Sequence, residues 1–344
     1  MTGQALPHYT SEELFEMLCT RAGKDGRDEA LFGGCIPRAL ELGRPFIVGY
    51  RLPCIFAECP LKGDPFLDLT FLYGMIPEGT SIRSRYAGKC EDVLAYYSGI
   101  KAEYPHISFG FELDTSKEDP GMAAVHFEPR HHTELVAPFC ASIGEEKNGE
   151  LYLATASKLA GIFPLSFFGM FRGRSDAPLR VCGYLVKDDL EVIAKDRDSL
   201  LRLFDAVGFT AYDDDMLNEI INIIKLAPSE ADYQMDIYPD QKAGDTFALD
   251  IRFPEESAAA IKESFKTGTS AALMSHLRDL GIADGRTDLI SDMATSIAVP
   301  AQNRAGKATG CVLLIQPKWI KIRWKAAVLQ NAKCYISMRG GYMS

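Results

Sequence analysis

The chain has 344 residues, of which 47% are hydrophobic, 24% charged and 10% aromatic. This is the composition of an ordinary globular protein with enough apolar material for a large core, and it argues against fibrous and disordered classes. Against 37 basic side chains stand 47 acidic ones, so the net charge of -10 opposes attraction to phosphate backbones and no nucleic-acid partner is expected. Nine cysteines lie scattered without paired zinc-ribbon spacing, and reduced thiols are the simplest reading. No basic segment followed by an apolar run opens the chain, and no run reaches the roughly 18 apolar residues of a membrane span. A cytoplasmic protein without membrane contact is expected.

Along the chain, Thr10 and Glu13 fit a capping box, and Leu14, Met17 and Leu18 recur at helical spacing. Runs 45–52 and 66–73 favour extended structure and flank a stretch containing Pro53, Pro60, Gly63 and Pro65, a first hairpin. Four more candidates follow: 108–113 with 123–128 around TSKEDPG, 165–171 with 179–186 around RGRSDAP, 233–238 with 246–253 around PDQKAGD, and 318–325 with 332–338 around AAVLQN. Helical patterns cover 90–103, 132–143, 151–159, 188–206, 216–225 and 255–280. Residues 281–310 are polar and weakly patterned and read as a long connection.

Side chains alternate across a strand, so each hairpin sorts into two faces. Ile320, Ile322 and Trp324 oppose Trp319, Lys321, Arg323 and Lys325, and the partner run offers Lys333, Tyr335 and Ser337. Met235, Ile237, Leu249 and Ile251 oppose Gln234, Asp236, Tyr238, Asp250 and Arg252. Val181 and Leu185 oppose Arg180, Cys182 and Tyr184; Phe109, Phe111, Val125 and Phe127 oppose Glu112, His126 and Glu128; Leu67, Leu69 and Phe71 oppose Asp68 and Thr70. The amphipathic helices need an apolar surface, so the apolar faces are expected outward beneath them and the polar faces inward. Ten antiparallel strands enclose room for a cavity. The faces alone do not distinguish this closed barrel from an open sheet with its polar side in water.

The alternation of strand pairs and helices, with FGFELD…AAVHFEPR and the C-terminal AKCYISM, resembles the soluble aromatic prenyltransferases of the ABBA type. The likeness spans most of residues 10–340, and the hairpin layout is most similar to the cyanobactin-type peptide prenyltransferases. The resemblance implies an α+β fold of αββα repeats forming a ten-stranded antiparallel barrel in one domain, residues 1–344, closed by the C-terminal hairpin. It also implies metal-independent transfer of an allylic prenyl group from its diphosphate, the co-substrate, to a peptide or small aromatic acceptor, with no cofactor required. The family's acid lies on the first hairpin, where Asp68 in FLDLTF stands, although Glu is common there.

Ionisation of an allylic diphosphate needs positive charge around the leaving group. On this reading Arg180, Arg252, Lys321, Arg323 and Lys333 are the diphosphate candidates, with Arg172 and Arg51 as further ones. Tyr184, Tyr238, Trp319 and Tyr335 are candidates to shield the cation through their ring faces. Asp68 would orient the acceptor or take its proton. No metal residues are expected: DDxxD boxes are absent, and Asp213, Asp214 and Asp215 read as a helix N-terminus. His131 and His132 read as a loop or cap, Gly169–Arg174 as a hairpin tip, and residues 244–246 as a turn. No GxGxxG, Walker or GxSxG pattern occurs. Two other readings stand beside this one: a non-catalytic protein binding a peptide or anionic ligand, such as a partner protein in peptide natural-product maturation, and an unrelated α+β enzyme on an open sheet.

Overall fold

The computed structural model describes residues 6–48, 52–74, 80–171, 177–254, 257–303 and 305–343. The helices are α1 (Ser11–Ala22), α2 (Arg27–Phe32), α3 (Ile36–Gly43), α4 (Cys90–Ile100), α5 (Val136–Ser142), α6 (Glu146–Leu159), α7 (Lys187–Lys195), α8 (Arg197–Val207), α9 (Asp214–Lys225), α10 (Ala258–Thr267), α11 (Thr269–Asp279) and α12 (Arg286–Met293). The strands are β1 (Cys54–Pro60), β2 (Asp68–Tyr73), β3 (Ser108–Leu113), β4 (Ala124–Glu128), β5 (Leu165–Met170), β6 (Leu179–Leu185), β7 (Ala231–Ile237), β8 (Ala243–Arg252), β9 (Thr295–Gln302), β10 (Ala308–Lys325) and β11 (Val328–Tyr342).

Hydrogen bonding runs β1 to β8 in sequence, then through β10 to β11 and back to β1, so ten strands close a barrel. Every pairing is antiparallel. Closure removes the sheet edges that the open-sheet reading required. The apolar faces point out as expected: Leu69, Phe71, Phe109, Phe111, Leu249, Ile251, Ile320 and Ile322 are each at most 1% exposed and join one core with the helices. Aromatic packing tightens it. Phe46 stacks on Phe71 at 5.5 Å, and Tyr73 stacks on Phe109 at 5.1 Å; truncating one such ring to Ala costs roughly 3–5 kcal/mol.

The capping box forms, with Glu13 N–H donating to Thr10 Oγ1 at 3.2 Å and Thr10 N–H to Glu13 Oε2 at 2.7 Å. Asp213 caps α9 by accepting from Met216 N–H at 2.8 Å, as its reading as a helix N-terminus expected. His132 lies in the loop before α5, 3.0 Å from Glu134 Oε1. No helix among the described residues is long and apolar enough to cross a membrane.

Several expected boundaries are corrected. The first strand is Cys54–Pro60, inside the segment read as a turn, and the described part of 45–52 forms only a 3-10 turn, Arg44–Phe46. Pro45 and Pro53 have no N–H to give a ladder, and Phe46 is spent on the core between barrel and helices. The long helix expected over 188–206 breaks at Asp196, whose side chain accepts from Asp198 N–H at 3.1 Å and starts α8. Extended backbone at Gly268 likewise divides 255–280 into α10 and α11, and residue 255 lies outside the described residues. Residues 281–310 contain α12 and β9, not a bare connection. β9 pairs with the first half of β10, beyond the barrel.

Candidate active site in the barrel lumen

The inner faces meet in a cavity of about 470 Å³ near the end of the barrel where β1–β2, β3–β4, β5–β6, β7–β8 and β10–β11 turn. Five carboxylates line it, Glu58, Asp68, Glu112, Asp114 and Asp236, against five cations, Lys117, Arg180, Lys321, Arg323 and Lys333. Phe171 and Tyr335 supply aromatic surface. Period-two alternation, carried around a closed ladder, is what gathers these side chains from strands distant in sequence.

Most of the cations are already opposed. Arg180, facing Asp236 across the β6–β7 ladder, grips it through Nε at 2.9 Å and a second nitrogen at 3.3 Å, and lies 4.4 Å over the Phe171 ring. Lys333 Nζ donates to Glu58 Oε1 at 2.5 Å. Lys321 Nζ donates to Gln234 Oε1 at 2.5 Å, and Gln234 passes a hydrogen bond on to Asp250. Arg323 differs: it sits opposite Asn331 and Ala248, forms no salt bridge among the described residues, and its Nε is buried without a hydrogen-bond partner.

Asp68 stands directly across the β1–β2 ladder from Glu58. Burial, reinforced by the Glu58 charge, pushes its carboxyl up to about 7 against the pull of two hydrogen bonds from Ser116. Glu112 goes the other way: although burial would raise it, the hydrogen bond and charge of His126, 3.0 Å away, hold it down to about 2. Gly169 makes room for that histidine, because a Cβ there would come within 2.7 Å of His126 Nδ1.

Deeper in, Trp319 is stacked on Tyr335 at 5.0 Å and tilted against Phe56 at 4.6 Å, and its indole N–H has no partner. Arg252 pairs with Asp232 at 2.7 Å beneath the Tyr184 ring. Asp232 and Asp250 face each other across β7–β8, each with one oxygen unpaired, and burial pushes Asp250 up to about 7.

Of the residues singled out from sequence, Asp68, Arg180, Lys321, Arg323, Lys333 and Tyr335 line the cavity together. Arg252, Tyr184 and Trp319 occupy inner-face positions but do not line it. Tyr238 is corrected: the strand ends at Ile237, and its ring lies 42% exposed in the β7–β8 turn against Gly244. Arg172 and Arg51 lie outside the described residues, as does the second half of the 169–174 phrase. Sequence reading passed over Glu58. Its signal was present in the alternation Ile55, Ala57, Cys59 against Phe56, Glu58, but the flanking prolines drew the segment into a turn. Among the described residues no group of three or more His, Cys, Asp or Glu side chains is placed to hold a metal.

No protein-family model matches the chain. No curated protein matches its sequence. Among solved structures, NotF in complex with brevianamide F and DMSPP aligns over 98% of this chain and 95% of its own, with a TM-score of 0.51 and 12% identity. The fold is the ABBA prenyltransferase barrel. Also similar are 5-dimethylallyltryptophan synthase from Streptomyces coelicolor, with 97% and 98% of the two chains covered, a TM-score of 0.49 and 9% identity, and apo prenyltransferase PriB, with 96% of each chain covered, 0.47 and 12%. The resemblance read from strand pairs and helices therefore holds at the level of the ABBA fold, and the expected ten-stranded barrel is present.

Proposed function

We propose that this protein is a metal-independent prenyltransferase, moving an allylic prenyl group from its diphosphate to a small aromatic or peptide acceptor inside the barrel. The observation that supports the reading best is the composition of the lumen: an unopposed cation, Arg323, shares one cavity with Asp68 and with aromatic rings, on the fold of a protein solved with DMSPP. As the carbon–oxygen bond breaks, negative charge gathers on the departing diphosphate, and Arg323 with Lys321 would receive it. The allylic cation would lie against Phe171 and Tyr335, whose faces attract positive charge and exclude water. Attack by the acceptor ring forms the carbon–carbon bond, and Asp68 would take the ring proton that must then leave.

A non-catalytic binding protein is the second reading, and it is favoured where no carboxylate accompanies the cations. Asp68 and Glu58 beside Lys333 and Arg323 weigh against it. The deciding experiment is calorimetric titration with dimethylallyl and geranyl thiodiphosphates in EDTA. Saturable binding of either is expected, followed by prenyl transfer in a screen of tryptophan- and tyrosine-containing acceptors. Absence of binding to both analogues would reject the reading.

A further inference from the structure

Asp68 does not stand alone on its strand. The β3–β4 loop reaches across to it: Ser116 donates twice to Asp68 Oδ1, from its backbone N–H at 3.0 Å and from Oγ at 2.8 Å. Asp68 Oδ2 has no hydrogen bond among the described residues, and Asp68 lines the cavity. The loop is itself fixed from outside the barrel. Arg38, on α3, donates from Nε to Thr115 O at 2.9 Å, and from one terminal nitrogen to Glu118 O at 2.6 Å and to Lys117 O. Thr115 is fully buried, and its hydroxyl donates to the carbonyl of Leu67, the residue before Asp68. A guanidinium gathering three carbonyls of one loop, with a buried threonine pinning that loop beside the acid, is more than an exposed turn needs for its own stability.

We propose that Ser116, held by Arg38 and Thr115, is a positioning residue that ties Oδ1 of Asp68 to the loop and leaves Oδ2 to take the acceptor's proton. This rests on the reading of Asp68 as the proton acceptor in prenyl transfer. In that step the C–H bond of the alkylated ring breaks, its electron pair restores the aromatic system, and the proton goes to Oδ2. Two donors on the other oxygen favour the ionised carboxylate that the step requires, offsetting part of the effect of burial. The charged and titratable groups around Asp68 are Glu58 on β1, Lys333 on β11, Glu112 on β3, Asp114 and Lys117 on the loop, Arg38 on α3 and Cys35 just before it. A Ser116 substitution leaves all of these in place.

The test follows the Asp68 carboxyl directly, by carbon NMR of protein labelled at the aspartate side-chain carbonyl, titrated from pH 4 to 9 and assigned with Asp68→Asn. Ser116→Ala should raise the titration midpoint by about half to one pH unit, the loss of one donor to the charged form. Ser116→Thr, which keeps the hydroxyl, should restore it, and Arg38→Ala should raise it at least as far. The pH at half-maximal transfer should move with the carboxyl. An unchanged midpoint in both Ser116→Ala and Arg38→Ala overturns the proposal, even if transfer is observed. A shifted midpoint in a protein that binds no thiodiphosphate and transfers nothing would support the coupling and reject the prenyltransferase reading instead.

Discussion

Arg323 and Lys333 sit two ladder positions apart in the same lumen, yet their removal should have opposite effects on stability. The Arg323 Nε is buried without a partner, and an unmet buried donor costs about 1–3 kcal/mol. Arg323→Gln discards a full charge and should leave the fold unchanged or more stable by roughly 1 kcal/mol. Lys333→Gln strands Glu58, which is only 7% exposed, and breaking one side of a buried pair costs about 3–5 kcal/mol. With an unfolding entropy of about 2.1 cal/mol/K per residue, a chain of 344 residues loses about 0.7 kcal/mol of stability per degree near its midpoint. The expected melting shifts are thus an increase of about 1 °C for Arg323→Gln and a decrease of about 4–7 °C for Lys333→Gln. Binding should follow the reverse order of tolerance. If Arg323 receives the diphosphate through a charge-assisted hydrogen bond of about 1.5–3 kcal/mol, Arg323→Gln weakens dimethylallyl thiodiphosphate about 10- to 150-fold. Differential scanning calorimetry and isothermal titration on the same preparations read both effects. An Arg323→Gln protein that binds the analogue normally, or that melts as low as Lys333→Gln, would refute the assignment of Arg323 as a cation held for a ligand.

Stability should also fall as pH rises from about 4 to about 7. Asp68 and Asp250 titrate near 7 in the folded chain and near 3.8 when unfolded, so the folded state binds more protons through that window and its advantage is lost as they leave. Asp250→Asn should flatten the slope in chemical denaturation at stepped pH; an unchanged slope in both Asp250→Asn and Asp68→Asn would contradict the burial argument. At the β10–β11 turn, Ala326 and Ala327 carry φ of 49° and 65°, a left-handed pair that asparagine and glycine adopt more readily. The double change Ala326→Asn, Ala327→Gly should stabilise by about 1–2 kcal/mol, or about 2 °C in melting temperature. A decrease would show that the turn is not strained.

Strand faces were the most legible part of the sequence, because one buried side per strand imposes a period of two. Val181, Phe109 and Ile322 fall where that alternation put them, and Arg180, Lys321 and Lys333 follow on the opposite face. Boundaries were less legible where one residue serves two structures: Asp196 ends one helix and caps the next, so the apolar spacing continues across it. α2 was hidden by its length, six residues between left-handed Gly26 and Gly33. Glu58 was missed because Pro53 and Pro60 carry turn chemistry, whereas here Pro60 ends an interior strand. Tyr238 kept the alternation but outran the strand. Pairing among the cations and carboxylates could not be read at all, since it depends on cross-strand register: nothing local joins Lys333 to Glu58.

That last pair has a consequence for how the protein comes into being. Glu58 and Lys333 are 275 positions apart, and the ladder that joins β1 to β11 is the seam of the barrel. During synthesis the first strand must wait, with an open edge, until the last one has left the ribosome. Loop closure over such a distance is slow, and an unpaired edge in the interval invites other chains. The wall carrying Lys333 and Tyr335 is also the last of the barrel to be made, so the lumen is complete only once β11 has closed on β1.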